Sequence, residues 1–499
     1  MKTFSIVTFV FLLFADLLFI PNPFTFLSVD VGQFLEIGQL ILSGKVPYVD
    51  FFEVNPPLIH YLHTVPVAIS YILGVGSSDV FHVMVLLLII FSAALLFQSM
   101  AKLSPRRRVL VLLSYYAISV LAILRSDFGQ REHLFTIVFL PYLFCRALKE
   151  KEFSKSQLML TLFCGLFSCL KPFFFLMLLT SEALLLSSKN KISRKTLLML
   201  GAPMVAYAIY LIFFSAYLSQ GLSMVATRYR VWGFPYNDWY QTFGYGYLIL
   251  GTLTAGFPLI LVSSGQGTTR EKIVFLLTIC GMIAFVGVLY ANKGFSYHFI
   301  PAYGCLFMAI ATYLEFEKNS WRARLKILLA GVLVLPFWTT ACVVNAFYFP
   351  PRYDNPVSRL AQTMDKGVRA DEGVLLLSYI YMPNYFVQRK IRNCTRYEYA
   401  PFYFHGSHPF YPAIDKLAAW ERLFIENMRS DIKSFSPEFI IMTKGKKYFA
   451  AQVDVYEYAS HYLLQPEVLQ HYPTLLENNE EVILVRADRL SEAKARLGL

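Results

Sequence analysis

Charge is scarce in this chain. Of its 499 residues only 16% are Asp, Glu, Lys or Arg, whereas 56% are hydrophobic. A soluble globular protein carries about 25% charged residues. The shortfall, with apolar runs of about 20 residues recurring along the chain, excludes an ordinary soluble enzyme and predicts a polytopic membrane protein. Cysteine is scarce too. Six of the seven lie in or beside apolar runs, where a thiol acts as a small hydrophobe. Cys394 is alone in the C-terminal region, so no disulfide can form within that region. No Cys/His spacing of a zinc site occurs. No internal repeat is visible, which argues against a transporter built from inverted repeats. The start, "MKTFSIVTFVFLLFADLLFI", lacks a small-residue cleavage site after it and reads as an uncleaved first helix.

The basic residues that are present sit in short clusters between apolar runs. A net charge of +12 therefore points to cytoplasmic loops and anionic lipid, with no nucleic acid as partner. The runs predict about eleven transmembrane helices, near 3–21, 79–100, 109–124, 132–147, 157–170, 173–187, 197–217, 244–263, 272–291, 298–316 and 327–346. The fifth and sixth are parted only by Lys171-Pro172 and also read as one kinked helix, which would make ten. With eleven spans and a cytoplasmic N-terminus, the inner loops hold eighteen Lys and Arg and the outer loops seven. That asymmetry places the chain in the cell membrane in this orientation. It divides into a membrane domain, 1–346, whose first outer loop is 22–78, and an extracytoplasmic domain, 347–499. In the latter "GVLLLSYIY", "EFIIMTKG" and "EEVILVRAD" read as strands and "AIDKLAAWERLFIENMRSDIKSF" as an amphipathic helix, hence a small α/β domain.

The first outer loop carries the chemistry. "VDVGQFLEIGQLILSGKVPYVDFFEVNPPLIHYL", residues 29–62, holds Asp30, Glu36, Asp50 and Glu53 against a single Lys. Carboxylates at a membrane-proximal site are costly to desolvate and are often functional, although any one of them also reads as simply solvated. The second outer loop, "RSDFGQREHLF", adds Asp127, with Arg125 and Arg131. Asp127 either caps the following helix or works with the first-loop acids. Glu132 and His133 enter a span and read as buried, hydrogen-bonded groups. His60 and His63, three residues apart, are weak evidence for metal. Outer cations run against the charge bias: Arg125, Arg131, Lys171, Arg228, Arg230 and Lys293, joined by Tyr297 and His298. Lys171, in "SCLKPFFFL", needs a partner there; snorkelling to lipid head groups is the simpler alternative for each. The aromatic stretch 226–243 reads as an interfacial belt or as a cover over a sugar.

The first loop resembles that of the GT-C membrane glycosyltransferases, such as the protein O-mannosyltransferases and the aminoarabinose transferases of lipid A. The shared pattern is an acid just after the first helix, then G-x-x-P-Y-x-D, then an acid before a prolyl pair. Here these are Asp30, Gly44, Pro47, Tyr48, Asp50, Glu53, Pro56 and Pro57. The resemblance implies a GT-C fold and a sugar moved from a polyprenyl phosphate to a hydroxyl of a lipid, glycan or protein acceptor. It implies Asp30 as general base, with Glu53 and Asp127 as further catalytic acids. It also implies a divalent cation held by Asp30, Glu53 and Asp127. Many members have two adjacent acids where this chain has Asp30-Val31, which sets the metal in question. Asp50, Arg125, Arg131, Lys171, Lys293, Tyr297 and His298 would bind substrate, the cations meeting the donor phosphate. The competing reading is a transporter or flippase of lipid-linked saccharides, and a third is a non-enzymatic membrane assembly protein.

Overall fold

The computed structural model describes residues 29–51, 53, 55–101, 103, 105–119, 128–148, 153–187, 192–213, 216–221, 269–291, 296–314, 363–377, 391–396, 413–417, 419–444, 454–479 and 481–499. The chain forms two compact units. The first runs over 1–28, 78–215 and 233–348, and the second over 29–77, 216–232 and 349–499.

The second unit opens with helices α1 (Val29–Leu42) and α2 (Leu58–Leu73), which pack on each other. In the first unit the described helices are α3 (Ser77–Ser99), α4 (Pro105–Ser119), α5 (Arg131–Ala147), α6 (Lys155–Ser168), α7 (Pro172–Ser187), α8 (Arg194–Phe213), α9 (Thr269–Ala291) and α10 (Ile300–Leu314). (The first residue of α3 falls in the second unit.) All seventeen residues of α5 are buried, from Arg131 to Ala147. Between its charged ends the helix is apolar on every side, as an enclosed helix is, and its neighbours are α4, α6, α7, α9 and α10.

The expectation of about eleven spans is corrected. Among the described residues three helices are long and apolar enough to cross a membrane: Ser77–Ser99, Arg194–Phe213 and Glu271–Tyr290. The runs expected at 109–124, 132–147, 157–170, 173–187 and 298–316 correspond to helices of 14 to 17 residues. At 1.5 Å per residue their described parts are about 21–26 Å long, short of the ~30 Å hydrocarbon core. Apolarity misled because it has two sources. In α5 it answers to burial inside protein; in Arg194–Phe213, where Leu198, Val205, Ile212 and Phe213 are exposed, protein does not cover it. The fifth and sixth runs are two separate helices, broken at 169–171. A capping box fixes the start of the first: Ser154 Oγ accepts from the Gln157 amide, and the Gln157 side chain accepts from the Ser154 amide. The expected spans 3–21, 244–263 and 327–346 lie outside the described residues.

Two local features fix the bundle. Pro141 lies inside α5 and has no N–H to offer the Ile137 carbonyl one turn earlier. The Tyr115 hydroxyl of α4 donates to that carbonyl at 2.8 Å. Gly165 of α6 meets the Leu200 carbonyl of α8 so closely that a Cβ built on it would stand 2.3 Å from the oxygen.

The C-terminal part of the second unit is a five-stranded sheet. Its strands are β1 (Gly373–Leu377), β2 (Arg392–Asn393), β3 (Phe439–Thr443), β4 (Thr474–Glu477) and β5 (Glu481–Val485), in the order β2-β1-β3-β5-β4. β2, β1 and β3 are parallel, while β5 runs antiparallel to β3 and β4. Alternation splits the side chains between two cores. Leu375, Leu377, Ile440, Met442, Val482 and Leu484 pack with Phe424, Ile425 and Met428 of α11 (Ala419–Phe435). Val374, Phe439, Ile441, Ile483 and Val485 face the other way.

Candidate functional site

The acidic loop folds as one clamped segment. α1 begins at Val29, with Asp30 in its first turn, where the helix N-terminus favours a carboxylate. Asp30 is half-buried and has no hydrogen-bond partner among the described residues. Glu53 differs. It is buried, and both of its oxygens accept from amides: Gln33 Nε2 at 2.5 Å on Oε2, and the Asn55 backbone and side-chain amides at 2.8 and 2.6 Å on Oε1. Asp50 is exposed and accepts from the Val46 amide at 2.7 Å, closing the PYVDFF turn. Tyr48 takes φ 65°, a left-handed conformation rare for a residue with a Cβ. Its hydroxyl donates to the Asn55 carbonyl. The order Tyr48, Asn55, Glu53, Gln33 therefore ties the turn back to α1. His60 and His63 pack edge-on against Phe34, at ring distances of 5.7 and 5.3 Å, and the His63 Nδ1–H donates to the Ile59 carbonyl.

The expected metal trio of Asp30, Glu53 and Asp127 includes a residue that the structure does not describe. Asp127 lies outside the described residues, as do Arg125, Lys293, Arg228, Arg230 and the whole aromatic stretch 226–243. Among the described residues no three His, Cys, Asp or Glu side chains converge on a common point. The Glu53 oxygens face the positive ends of N–H groups.

A second cluster is built at the N-terminal end of α5. Gly129, at φ 79°, turns the chain into the helix and donates its N–H to His133 Nδ1 at 2.9 Å. A residue with a Cβ would be strained there. His133 Nε2–H in turn donates to the Ser119 carbonyl at 3.0 Å, so this imidazole is a neutral brace between α4 and α5. The next residue back, Glu132, is fully buried. Its Oε1 forms an ion pair with the Lys171 ammonium and stands 2.8 Å from His298 Nδ1. An ionised carboxylate has no proton to give, so His298 carries its proton on Nδ1 and donates to Glu132. Lys171 Nζ is 3.2 Å from the same nitrogen and 5.8 Å from the ring centres of Phe173 and Tyr297. Arg131 is buried beside them. The structure thus brings together Arg131, Lys171, Tyr297 and His298 of the expected substrate-binding set. Their organising residue, Glu132, had no binding role assigned from the sequence. The signal was there in part: an acid next to Arg131 at the mouth of an apolar helix, and a Lys in an apolar break that required a partner.

A third charged group lies at the other end of α5. Arg146 Nε and Nη2 donate to Glu182 of α7 at 2.9 and 2.6 Å, and the Tyr142 hydroxyl donates to the same carboxylate at 2.6 Å. Arg146, counted from sequence as an inner-loop cation, is 1% exposed and committed to this pair. The sequence matches no protein-family model and no curated protein.

Proposed function

We propose that the chain is a membrane glycosyltransferase that moves a sugar from a polyprenyl phosphate to a hydroxyl of a lipid, glycan or protein acceptor, with Asp30 as general base. One observation carries the reading. Within a loop that has the GT-C acid and proline pattern, Asp50 and Glu53 accept from backbone and amide donors, while Asp30 accepts from no donor among the described residues. Uncommitted lone pairs are what proton abstraction requires. In the reaction the Asp30 carboxylate takes the acceptor proton as the acceptor oxygen bonds to the anomeric carbon. The bond from that carbon to the phosphate oxygen breaks, and polyprenyl phosphate leaves with the electron pair. Glu53 holds the loop. The three apolar helices support residence in a membrane.

Asp30→Asn keeps the shape and removes the base. A general base is worth roughly 10²–10⁴-fold, or about 3–5 kcal/mol of barrier. In membranes at matched expression, sugar transfer from lipid-linked donors should fall by that factor in the variant. Near-wild-type transfer rejects Asp30. Translocation of a lipid-linked saccharide by the wild type with no transfer replaces this reading with a transporter.

A further inference from the structure

The two oxygens of Glu132 differ in their circumstances. Oε1 is shared by Lys171 and His298. Oε2 is equally enclosed and, among the described residues, accepts no hydrogen bond. A buried polar atom left without a partner is destabilising, more so when charged. An ion pair kept for stability alone would have filled it. Lys171, whose side chain is 12% exposed, and the half-buried Tyr297 are the members of the cluster that reach its surface.

The surroundings define what fits. Lys171 brings an ammonium to the partly exposed side of the cluster, next to the buried Arg131. Free phosphate alone suits the cluster poorly, because the carboxylate in contact with Lys171 repels it. A glycosyl phosphate suits it better. Its anion pairs with the ammonium, a hydroxyl on the carbon next to the anomeric centre points to the neighbouring oxygen, and the apolar face of the sugar has the Tyr297 ring to lie on. We infer that Glu132 Oε2 accepts a hydrogen bond from a sugar hydroxyl of the donor, beside a phosphate held by Lys171, which makes Glu132 a specificity-determining residue. The inference rests on the glycosyltransferase reading and adds to it the recognition of the sugar itself.

The test uses the full chain in detergent and defined probes: farnesyl phosphate, and farnesyl phosphates carrying glucose, galactose or mannose. Affinities are measured for the wild type, Glu132→Gln and Glu132→Asp. The wild type should bind at least one glycosyl form tenfold or more tighter than farnesyl phosphate, the range of a hydrogen bond to a charged group. Glu132→Gln should collapse that preference to about threefold or less while farnesyl phosphate still binds. Glu132→Asp, which keeps the charge but draws it back by one methylene, should narrow the preference, and it serves if the Gln variant does not fold. A preference retained in either variant overturns the inference. So does a wild type that binds farnesyl phosphate without regard to the sugar, an outcome that leaves the glycosyltransferase reading intact. Failure of the wild type to bind any of the probes sinks both.

Discussion

Replacing Tyr115 by Phe removes one oxygen, and the surroundings of that oxygen set the cost. Tyr115 and Ile137 are both fully buried, so no water can replace the lost donor. The Ile137 carbonyl has no helical donor either, because the residue four positions on is Pro141. Tyr115→Phe therefore orphans a buried carbonyl, at about 1–3 kcal/mol. Pro141→Ala changes the terms: the new N–H falls at the i+4 position and can satisfy Ile137 within the helix. In that background Tyr115→Phe should cost under about 1 kcal/mol. The double-mutant cycle should then show a coupling of about 1–2 kcal/mol, which neighbours sharing a hydrogen-bond partner are expected to show. The assay is equilibrium unfolding of the four proteins in mixed micelles, followed by circular dichroism. Equal cost of Tyr115→Phe in both backgrounds would refute the argument and would mean that the hydroxyl does not stand in for the missing N–H.

Two further outcomes follow from the packing. Arg146→Met strands the Glu182 carboxylate with only the Tyr142 hydroxyl and should cost about 3–5 kcal/mol; adding Glu182→Leu should recover most of it, and a double variant no more stable than the single one would count against a buried ion pair. Gly165→Ala drives a methyl into the Leu200 carbonyl and should lower stability by about 1–3 kcal/mol as α6 and α8 are pushed apart, so a neutral result by thermal unfolding would show that the crossing is looser than described.

The sheet was legible because its strands are short apolar runs bounded by polar residues. GVLLL, FIIMT and EVILV stand within the stretches read as strands, and the amphipathic run at 413–435 contains α11. The membrane part was not, because hydropathy records how apolar a stretch is and not what covers it. α5 and Arg194–Phe213 give similar runs, yet one is enclosed by protein and the other is largely exposed. At the site, Lys171 was legible as a charge that needed a partner. The partner's identity was not, because Glu132 lies 39 residues away and no local pattern links the two. Glu53 shows the same limit: its place in the acidic loop was legible, but its amide neighbours, Gln33 and Asn55, were not, because they are brought to it by the fold of the loop.

The enclosure of α5 also bears on how the protein is made. A helix of seventeen residues with Arg131, Glu132 and His133 at one end and Arg146 at the other is too short and too polar to enter lipid unaided. Its charges become tolerable only next to Lys171, Glu182 and His298, all of which leave the ribosome after it. At roughly 5–20 residues per second, Lys171 and Glu182 follow within about 2–10 s, and His298 later still. During that interval α5 must be sheltered by the insertion machinery or by α4, which precedes it. Loss of a late-arriving partner such as Glu182 would therefore act first on the newborn chain, as failed insertion and degradation, before any effect on the assembled molecule.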